Sequence, residues 1–507
     1  MVTGMKLNMQ WFFVVLCISL SGCGGSGSSP SPVPATANLI VYPGGVGKFS
    51  IQFDYWDKDG DVANSTVVLY DATGEIVGSS TAIISGSAGH TSGSVHGTLD
   101  FSDLPAGDYR FELFVTDSGG RESNRLSREF NATGGVGNAI PYVNPSDYLY
   151  LGATAIGDLN GDGLNDAAAI QGSNNTGKLL IYYQNESGRL NGPLVENLTI
   201  LTRGLVIADV NNDGKDDLVL SGVSKNALVG WLGRVVVILQ DPATGQLLPA
   251  QEYTVRSTYV FNLAVADLNC DGRNDIVVMA PDPGLPGSLS MFFQNSTGTF
   301  NPEVTYDRAS VVFQGQIHVA DMNNDGRNDI VVQSGLKQFA VIHQATPGVF
   351  SETPELYAVQ TSYWPNFDAF ALGDVNGDGR IDVVTVDPGN SGYLNIFLQN
   401  SQGRLDPPTL VGTDVPFGVQ IADITGDGSN DIIYDISGGI KVLPQQSNHT
   451  FGPSQFYSYP AMSFGGSSVH QALSIGDVTG DGHKDAILTW SDEGLFVLPY
   501  SAQLVAK

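Results

Sequence analysis

A nine-residue acidic segment recurs seven times along this chain of 507 residues. Its first copy, Asp158–Asp166, reads DLNGDGLND, and the others begin at Asp209, Asp267, Asp321, Asp374, Asp423 and Asp477. Neighbouring copies begin 49 to 58 residues apart, so the chain from about residue 139 onward is a repeat array. Such an array indicates one supersecondary unit that is repeated along the chain.

The residue types within the segment predict a calcium loop. Positions 1, 5 and 9 are always Asp, position 6 is always Gly, and position 3 is Asn or Thr. Calcium takes hard oxygen ligands, and a glycine permits the sharp turn that brings several side chains around one ion. We therefore expect about seven calcium ions, each held by positions 1, 3, 5 and 9 with a backbone carbonyl near position 7. The predicted ligands are Asp158, Asn160, Asp162, Asp166, Asp209, Asn211, Asp213, Asp217, Asp267, Asn269, Asp271, Asp275, Asp321, Asn323, Asp325, Asp329, Asp374, Asn376, Asp378, Asp382, Asp423, Thr425, Asp427, Asp431, Asp477, Thr479, Asp481 and Asp485.

Two alternatives to this calcium loop have to be weighed. An EF-hand needs an acid at position 12 and a following helix, but position 12 is never acidic here and the next residues are strand-like, as in DLVLSG and DIVVMA. Seven purely structural Asx turns are the second alternative, although three carboxylates within nine residues repel one another without a cation. Thr425 and Thr479 offer only a hydroxyl, so the sixth and seventh loops should bind calcium more weakly.

The remainder of each repeat predicts four short antiparallel strands. An apolar strand precedes each loop, as in LVIAD and LAVAD, and a second strand follows it. A third strand leads into an Asn-x-x-Gly hairpin, as in IYYQNESGRLNGP, and then into a fourth. Four-stranded units repeated radially form a propeller. The last copy ends before its own fourth strand, so we expect residues near 140–150 to complete the blade that contains Asp477 and to close the ring.

These repeats resemble the FG-GAP/VCBS family, whose members include the propeller of integrin α subunits and many bacterial surface proteins. The resemblance covers roughly residues 139–507 and implies an all-β, seven-bladed propeller with calcium in its loops. With the glycine-rich hinge before the repeats, we assign residues 134–507 to this propeller. Its motifs are specific for fold and calcium, and much less specific for function.

The N-terminal residues predict export. The apolar run Trp11–Leu20 is too short to span a bilayer and has the length of a signal-peptide core. Residues 20–23, Leu-Ser-Gly-Cys, resemble the lipobox of bacterial lipoproteins, which implies cleavage after residue 22, lipidation of Cys23, and an outer-membrane or cell-surface location. An ordinary secretory signal with an incidental cysteine is the alternative. Residues 23–36 are rich in Gly, Ser and Pro and predict a tether. Only Cys270 would then remain, so no internal disulfide is expected.

Residues 37–133 differ in composition from the repeats. Short runs such as KFSIQFDY and YRFELFVTD alternate with Gly, Asp and Ser turns, a pattern typical of an antiparallel β-sandwich. The segment resembles bacterial immunoglobulin-like or cadherin-like modules. Asp57, Asp59 and Asp61 either bind one further calcium ion or simply form a turn between two strands.

Charge and motifs restrict the function. The formal net charge of −29 argues against nucleic-acid binding, which needs a basic surface. The chain contains no G-x-S-x-G, H-E-x-x-H or C-x-x-C motif, and its seven histidines have no ligand spacing. We therefore expect a protein that is not an enzyme. A carboxylate site assembled from separate blades would leave no sequence signature, so a polysaccharide-active enzyme remains an alternative.

Topology predicts where a ligand would bind. The calcium loops and the Asn-x-x-Gly hairpins fall on one face of the propeller, so the 2–3 loops and the crossovers between blades line the other. Aromatic residues there are suited to sugar rings or to protein hot spots. They are Trp231, Tyr259, Phe261, Tyr363, Trp364 and Trp490. The sequence thus favours a surface protein that binds a glycan or an extracellular or envelope protein and meets the membrane through its lipid anchor only. A calcium-stiffened scaffold of an envelope assembly is the alternative.

Overall fold

The structure of the protein is a computed structural model. It describes residues 15–19, 33–43, 48–84, 87–101, 104, 107–133, 140–143, 150–172, 177–226, 230–281, 287–308, 311–335, 337–360, 369–387, 392–436, 439–458, 473–490, 494–501 and 503–506. Every regular element among these residues is a β-strand, and none of them forms a helix long and apolar enough to cross a membrane. The chain divides into two compact units. The first comprises Met1–Gly137, Thr425–Asp427 and Tyr500–Lys507, and the second Asn138–Ile424 and Gly428–Pro499.

The first unit contains two sheets around one core. Its strands before the propeller are β1 (Val15–Ser19), β2 (Ala35–Pro43), β3 (Lys48–Trp56), β4 (Val62–Asp71), β5 (Ile76–Ile83), β6 (Ser92–Asp100), β7 (Gly107–Asp117) and β8 (Leu126–Thr133). One sheet has the order β1-β6-β3-β2, and the other contains β8-β7-β4-β5. Strand β1 lies within the predicted signal segment and pairs with β6. The signal peptide, the lipid anchor and the immunoglobulin-like assignment stay predictions.

Buried and partly exposed side chains alternate along two strands, and this explains the core of the first unit. Successive side chains of a strand point to opposite faces, and β3 turns Phe49, Ile51 and Phe53 inward while its intervening residues stay partly exposed. Strand β7 presents Phe111 and Leu113 in the same way from the other sheet. These side chains belong to one buried cluster, so the two sheets pack face to face.

The second unit is built from short strands with a regular order. In the chain they are β9 (Ile140–Val143), β10 (Tyr150–Gly157), β11 (Asp166–Gly172), β12 (Gly177–Tyr182), β13 (Gln184–Asn185), β14 (Arg189–Leu190), β15 (Leu194–Leu198), β16 (Leu201–Ala208), β17 (Asp217–Asn226), β18 (Gly230–Ile238), β19 (Gln251–Val255), β20 (Leu263–Ala266), β21 (Asp275–Met279), β22 (Gly287–Phe292), β23 (Val304–Arg308), β24 (Phe313–Ala320), β25 (Asp329–Ser334), β26 (Gln338–Ile342), β27 (Gln344–Thr346), β28 (Val349–Phe350), β29 (Glu355–Ala358), β30 (Phe370–Gly373), β31 (Asp382–Asp387), β32 (Tyr393–Phe397), β33 (Thr409–Gly412), β34 (Pro416–Ala422), β35 (Asp431–Ile436), β36 (Gly439–Leu443), β37 (Gln455–Ser458), β38 (Leu473–Gly476), β39 (Asp485–Trp490) and β40 (Gly494–Leu498).

These strands form a seven-bladed β-propeller. Among the described residues of the second unit, seven antiparallel sheets have four strands each, and we number them blades 1 to 7. In that order they are β10-β11-β12-β15, β16-β17-β18-β19, β20-β21-β22-β23, β24-β25-β26-β29, β30-β31-β32-β33, β34-β35-β36-β37 and β38-β39-β40-β9. The first strand of each blade contacts the first strand of the next, and β38 contacts β10 in turn. The first strands therefore form a closed ring, as the seven-bladed prediction requires.

Burial between neighbouring blades explains the apolar second strands. Strands β21 and β25, with the sequences DIVVM and DIVVQS, are buried at every position. A sheet between two others is covered on both faces, so its central strands need not alternate polar and apolar residues.

Side-chain amides form hydrogen bonds between the first strands of neighbouring blades. Asn262 Nδ2 donates to the carbonyl of Gly315 at 3.0 Å, and Gln420 Nε2 donates to that of Leu473 at 3.0 Å.

Strand β9 supplies the fourth strand of blade 7. It pairs antiparallel with β40 and lies within the segment 140–150 that the sequence analysis assigned to this position. The Tyr142 ring packs edge-on against Tyr182 of blade 1, with ring centroids 6.2 Å apart. Its hydroxyl accepts the backbone N–H of Leu190 at 3.1 Å. Residues from the beginning of the propeller therefore hold its last blade to its first.

The C-terminal strand, β41 (Gln503–Ala506), belongs to the first unit. It pairs antiparallel with β8 and completes a five-stranded sheet of order β41-β8-β7-β4-β5. Just before it, the buried Tyr500 hydroxyl donates to the carbonyl of Leu104 at 2.8 Å. The sequence analysis had assigned residues 134–507 to the propeller. The structure differs because the edge of β8 is open and a short strand can cover it from any distance along the chain.

Removing residues 502–507 should destabilise the first unit. The truncation exposes the edge of β8 and removes the backbone hydrogen bonds of a four-residue strand, each worth about 1 kcal/mol net. We expect the unfolding transition of the first unit to lose roughly 2–4 kcal/mol while that of the propeller is unchanged, as measured by hydrogen exchange in denaturant. Unchanged protection of β7 and β8 would contradict this role.

Candidate functional site

The seven acidic segments all form turns between the first and second strands of a blade. We number them loop 1 (158–166), loop 2 (209–217), loop 3 (267–275), loop 4 (321–329), loop 5 (374–382), loop 6 (423–431) and loop 7 (477–485). Position 6 is a glycine with φ between 80° and 87°, and position 4 is Gly, Asn or Cys with φ between 58° and 75°. Two left-handed residues reverse the chain within four positions, which explains why these positions carry Gly and Asn.

Side-chain oxygens of the loop are gathered around its backbone. In every loop the position-1 carboxylate accepts the N–H of the position-6 glycine, at 2.7 to 2.9 Å. In loop 1 the backbone N–H of Asp162 lies 3.2 Å from Asp158 Oδ1 and 2.8 Å from Asn160 Oδ1. The predicted ligand oxygens at positions 1 and 3 therefore converge on one point inside the turn.

The position-9 aspartate is buried completely in all seven loops, with 0% of its surface exposed. In loop 1, Asp166 Oδ2 accepts the N–H of Leu159 at 2.9 Å and Oδ1 accepts that of Gln184 at 2.8 Å. The same pair of hydrogen bonds recurs in loops 2 to 6, where the second donor is again a glutamine N–H. The carboxylate thus joins its own strand to the beginning of the loop and to the end of the third strand.

Burial raises the pKa of four of these aspartates. The pKa of Asp166 and Asp217 rises to about 7, and that of Asp275 and Asp382 to about 6. The two N–H donors oppose the rise, and the carboxylates at positions 5 and 1 of the same loop add to it. A nearby cation would offset both the burial and the repulsion.

The donor set of the loops fits calcium. All the side-chain donors are oxygens, and a carboxylate oxygen that accepts one N–H keeps a further lone pair. In loop 7 the hydroxyl oxygen of Thr479, at the predicted ligand position 3, is buried and has no partner. Within the described residues, no three His, Cys, Asp or Glu side chains already surround a common point as metal ligands. Calcium binding therefore stays a prediction.

Loops 3, 4 and 5 each contain an ion pair within the loop. Each has an arginine at position 7 that pairs with the aspartate at position 5: Arg273 with Asp271, Arg327 with Asp325, and Arg380 with Asp378. These guanidinium groups partly neutralise the acids that the sequence analysis assigned to calcium.

Loop 4 also contacts a histidine that the sequence analysis did not connect with it. His343 Nδ1 lies 2.9 Å from Asp329 Oδ2, and Nε2 lies 3.3 Å from Glu355 Oε2. The Asp329 carboxylate, helped by Glu355, raises the pKa of His343 against the effect of burial. A contact between residues fourteen positions apart has no ligand spacing, so only the fold could reveal it.

Two further residue types at the loops were missed by sequence reasoning. Position 8 is often Asn, and its amide reaches the preceding blade: Asn274 Nδ2 donates to the carbonyl of Asp209 at 2.7 Å, and Asn328 Nδ2 to that of Asp267 at 3.0 Å. The glutamine that follows the third strand does the same, as Gln240 Nε2 does to the carbonyl of Asp158 at 2.8 Å. The recurring QN dipeptide was the available signal.

The hairpin glycine also docks on the preceding loop. A Cβ on Gly245 would lie 1.9 Å from the carbonyl oxygen of Asn160, and Gly245 has a φ of 69°. Only a residue without a side chain fits at this point. Each acidic loop is therefore held by the blade that follows it as well as by its own blade.

The predicted ligand face is only partly described. Trp231 is 36% exposed near the tip of the β17–β18 hairpin, and Tyr259 is 55% exposed in the crossover to blade 3. Phe261 instead packs against the core between blades 3 and 4. Tyr363, Trp364 and the side chain of Trp490 lie outside the described residues.

The β17–β18 hairpin is distinctive among the described blades. Strand β17 has ten residues, whereas the second strands of the other blades have five to seven. Its pairing continues to Lys225 with Trp231 and Asn226 with Gly230. The second and third strands of blade 2 are therefore longer than those of the other blades, and the extra length lies at the end opposite the acidic loops.

The fold and the acidic turns place the protein in the class of seven-bladed β-propellers with an acidic turn in every blade. Within this class, residues 158–220, 267–332 and 374–434 match the family model described as FG-GAP-like repeat. These three regions of the chain therefore resemble FG-GAP repeats, as its motifs predicted.

Curated relatives share part of the chain. Integrin alpha pat-2 from Caenorhabditis briggsae is 32% identical over 213 residues, or 36% of this chain and 17% of the relative. Integrin alpha-IIb from Mus musculus is 30% identical over 158 residues, or 26% of this chain and 15% of the relative. A T-cell immunomodulatory protein homolog from Plasmodium yoelii yoelii is 27% identical over 259 residues, or 44% of this chain and 36% of the relative. The chain thus spans at most about a third of the length of these relatives.

Two sugar dehydrogenases are among the solved structures to which the chain is similar. A crystal structure of glucose dehydrogenase has a TM-score of 0.37 at 12% identity and covers 59% of this chain and 96% of its own. The soluble aldose sugar dehydrogenase from Escherichia coli, in its apo-form, has a TM-score of 0.36 at 11% identity and covers 61% and 99%.

Two substitutions in loop 1 distinguish a structural role of an aspartate from a role in binding metal. Asp166→Asn leaves one buried N–H without an acceptor, so with a chelator present we expect a loss of roughly 1–3 kcal/mol in the free energy of unfolding. Asp162→Asn keeps an oxygen for the N–H of Leu164, which Asp162 Oδ1 accepts at 2.8 Å, and should cost little. With excess calcium, a site at 100 times its Kd adds about 2.7 kcal/mol, so both variants should gain less than the parent chain. Equal calcium-dependent gains, measured by denaturant unfolding, would argue against a calcium loop.

Proposed function

We propose that this protein is a calcium-stabilised recognition module that is exported in bacteria and anchored to the envelope by lipid on Cys23. It would bind a glycan or an extracellular protein and catalyse no reaction. The observation that carries the proposal is that blade 2 has an acidic loop and an exposed aromatic hairpin at opposite ends. Its acidic loop lies at one end, and the extended hairpin with the exposed Trp231 lies at the other.

The resemblance to FG-GAP repeats supports a role in recognition. Two of the relatives are integrin alpha chains, and their similarity to this chain includes repeats of this kind. The acidic loops are suited to calcium rather than to catalysis, because their carboxylates are occupied by backbone N–H groups. The comparison of Asp162→Asn with Asp166→Asn tests the calcium part of the proposal.

The described aromatic residues support a ligand face opposite the loops. The crossover that carries Tyr259 is held in place, because Ser257 Oγ accepts the N–H of Tyr259 at 3.0 Å and donates to the carbonyl of Pro281 at 2.6 Å. An exposed ring on a fixed backbone loses little entropy when it stacks on a sugar or fills a protein pocket. Trp231 and Tyr259 are therefore the residues we assign to ligand contact.

A binding array tests this ligand face. The purified chain is applied to glycans and extracellular matrix proteins in millimolar calcium and again with a chelator. We expect at least one ligand, whose capture is lost on chelation and falls at least tenfold in the Trp231→Ala, Tyr259→Ala double variant, with an unchanged melting temperature. The control is Trp56→Ala, which removes a side chain of the first unit that is 46% exposed.

An envelope scaffold is the second candidate. It is favoured by the contacts between each acidic loop and the following blade, which would stiffen the ring even without a ligand. An array without any hit, from protein whose melting temperature rises with calcium, would contradict recognition and support the scaffold.

Lipid attachment is tested separately. In a bacterium that processes lipoproteins, the chain should incorporate an alkyne-tagged fatty acid. Cys23→Ala should abolish the label, because Cys23 is the one cysteine of the lipobox that directly follows the predicted cleavage site. Cys17→Ala is the matched control and should keep the label. A parent chain that is exported without label would instead support the ordinary secretory signal.

A further inference from the structure

The turn between β3 and β4 contains two buried carboxylate oxygens without partners. Asp57 is 2% exposed, and its Oδ2 accepts the N–H of Asp61 at 2.8 Å, but its Oδ1 is buried and has no hydrogen-bond partner. Asp61 Oδ2 accepts the hydroxyl of Ser118 at 2.5 Å, and its Oδ1 is likewise buried without a partner. Both oxygens belong to the sequence DKDGD, four residues apart.

The arginine near this turn is paired with another aspartate. Arg121 Nε donates to the buried Asp117 at 2.6 Å, and its Nη2 lies 4.0 Å from Asp59 Oδ2. Among the ion pairs of the described residues, none involves Asp57 or Asp61. Arg121 therefore pairs with Asp117 and lies near Asp59, and the exposed Lys58 of the same turn forms no ion pair among the described residues.

Another aspartate turn of the same unit shows what a purely structural arrangement looks like. Between β4 and β5, Asp71 Oδ1 accepts the N–H groups of Thr73 at 2.8 Å and Glu75 at 2.9 Å. Asp71 lies at the surface, where water reaches its carboxylate. The β3–β4 turn differs in burial and in its two free oxygens, so a turn-forming role does not account for it.

A buried carboxylate oxygen without a donor is costly, and two of them in one turn require a positive partner. We propose that Asp57 Oδ1 and Asp61 Oδ1 are ligands of a calcium ion in the β3–β4 turn of the first unit. Hard oxygen donors favour calcium, which accepts water in the rest of its shell and tolerates irregular geometry. The site resolves the two interpretations that the sequence left open for Asp57, Asp59 and Asp61, and it does not depend on the propeller loops.

Counting bound calcium tests the proposal. Calcium bound per chain is measured by equilibrium dialysis for the full chain, the Asp57→Asn, Asp61→Asn double variant, and the control Asp71→Asn. We expect the double variant to bind one ion fewer than the parent and the control to bind the same number. Because the readout is a difference, it holds whether the propeller loops bind about seven ions or none. A failure of the loops to bind is therefore distinguishable from a failure of this site.

Hydrogen exchange on the parent chain provides a second measurement if the double variant does not fold. Added calcium should slow exchange of the amides of Asp61 and Ser118, which lie at the site, and leave those of Thr73 and Glu75 unchanged. An equal calcium count in the folded double variant would overturn the proposal and indicate a proton shared by the two carboxyl groups. Absence of any calcium effect at Asp61 and Ser118 would overturn it as well.

Discussion

The propeller depends on one buried carboxylate in each blade. In blades 1 to 6 the position-9 aspartate accepts one N–H from the beginning of its loop and another from the end of the third strand, while its own backbone begins the second strand. Three segments of the blade are therefore fixed by one side chain. A carboxylate offers two acceptor oxygens and no donor, so neither asparagine nor glutamine can replace it between two N–H groups. This requirement explains an aspartate at a position with no exposed surface.

The same constraint extends from blade to blade. Glutamine and asparagine amides from one blade reach backbone carbonyls in the acidic loop of the blade before it, as Gln240 and Asn274 do. The hairpin glycine, as at Gly245, packs against that loop as well. A loop is complete only when the next blade is in place. Ring closure by β9 matters for this reason, because blades 7 and 1 would otherwise lack a fixed border.

The sequence predicted the parts of the fold that repeat, and it missed those that occur once. Seven copies of the acidic segment, with apolar runs on either side, determine the strand order of every blade, and the incomplete last copy indicated a closing strand near 140–150. Strand β41 has no such signature, because a four-residue strand pairs with β8 some 370 residues away. The partners of His343 and the burial of Phe261 likewise depend on contacts between blades, which spacing within one repeat does not encode. Asp57 and Asp61 were noticed from their pattern, but only their burial separates a cation site from a turn.

The two ends of the propeller are physically separated, and this limits how calcium could affect the recognition that we propose. A second strand of six residues spans roughly 20 Å, so an ion in a loop cannot contact a ligand bound at the opposite end. Blade 2 offers a direct covalent connection instead. Strand β17 begins at Asp217, the buried aspartate of loop 2, and continues for ten residues to the hairpin that presents Trp231. Among the described residues, β16 pairs with β17 only as far as Val223 and β19 pairs with β18 only as far as Gly233, so the orientation of the hairpin beyond them depends on how firmly the base of β17 is held. Anchoring that base, through the carboxylate of Asp217 and its two N–H donors, is the means by which the loop can influence the ligand face.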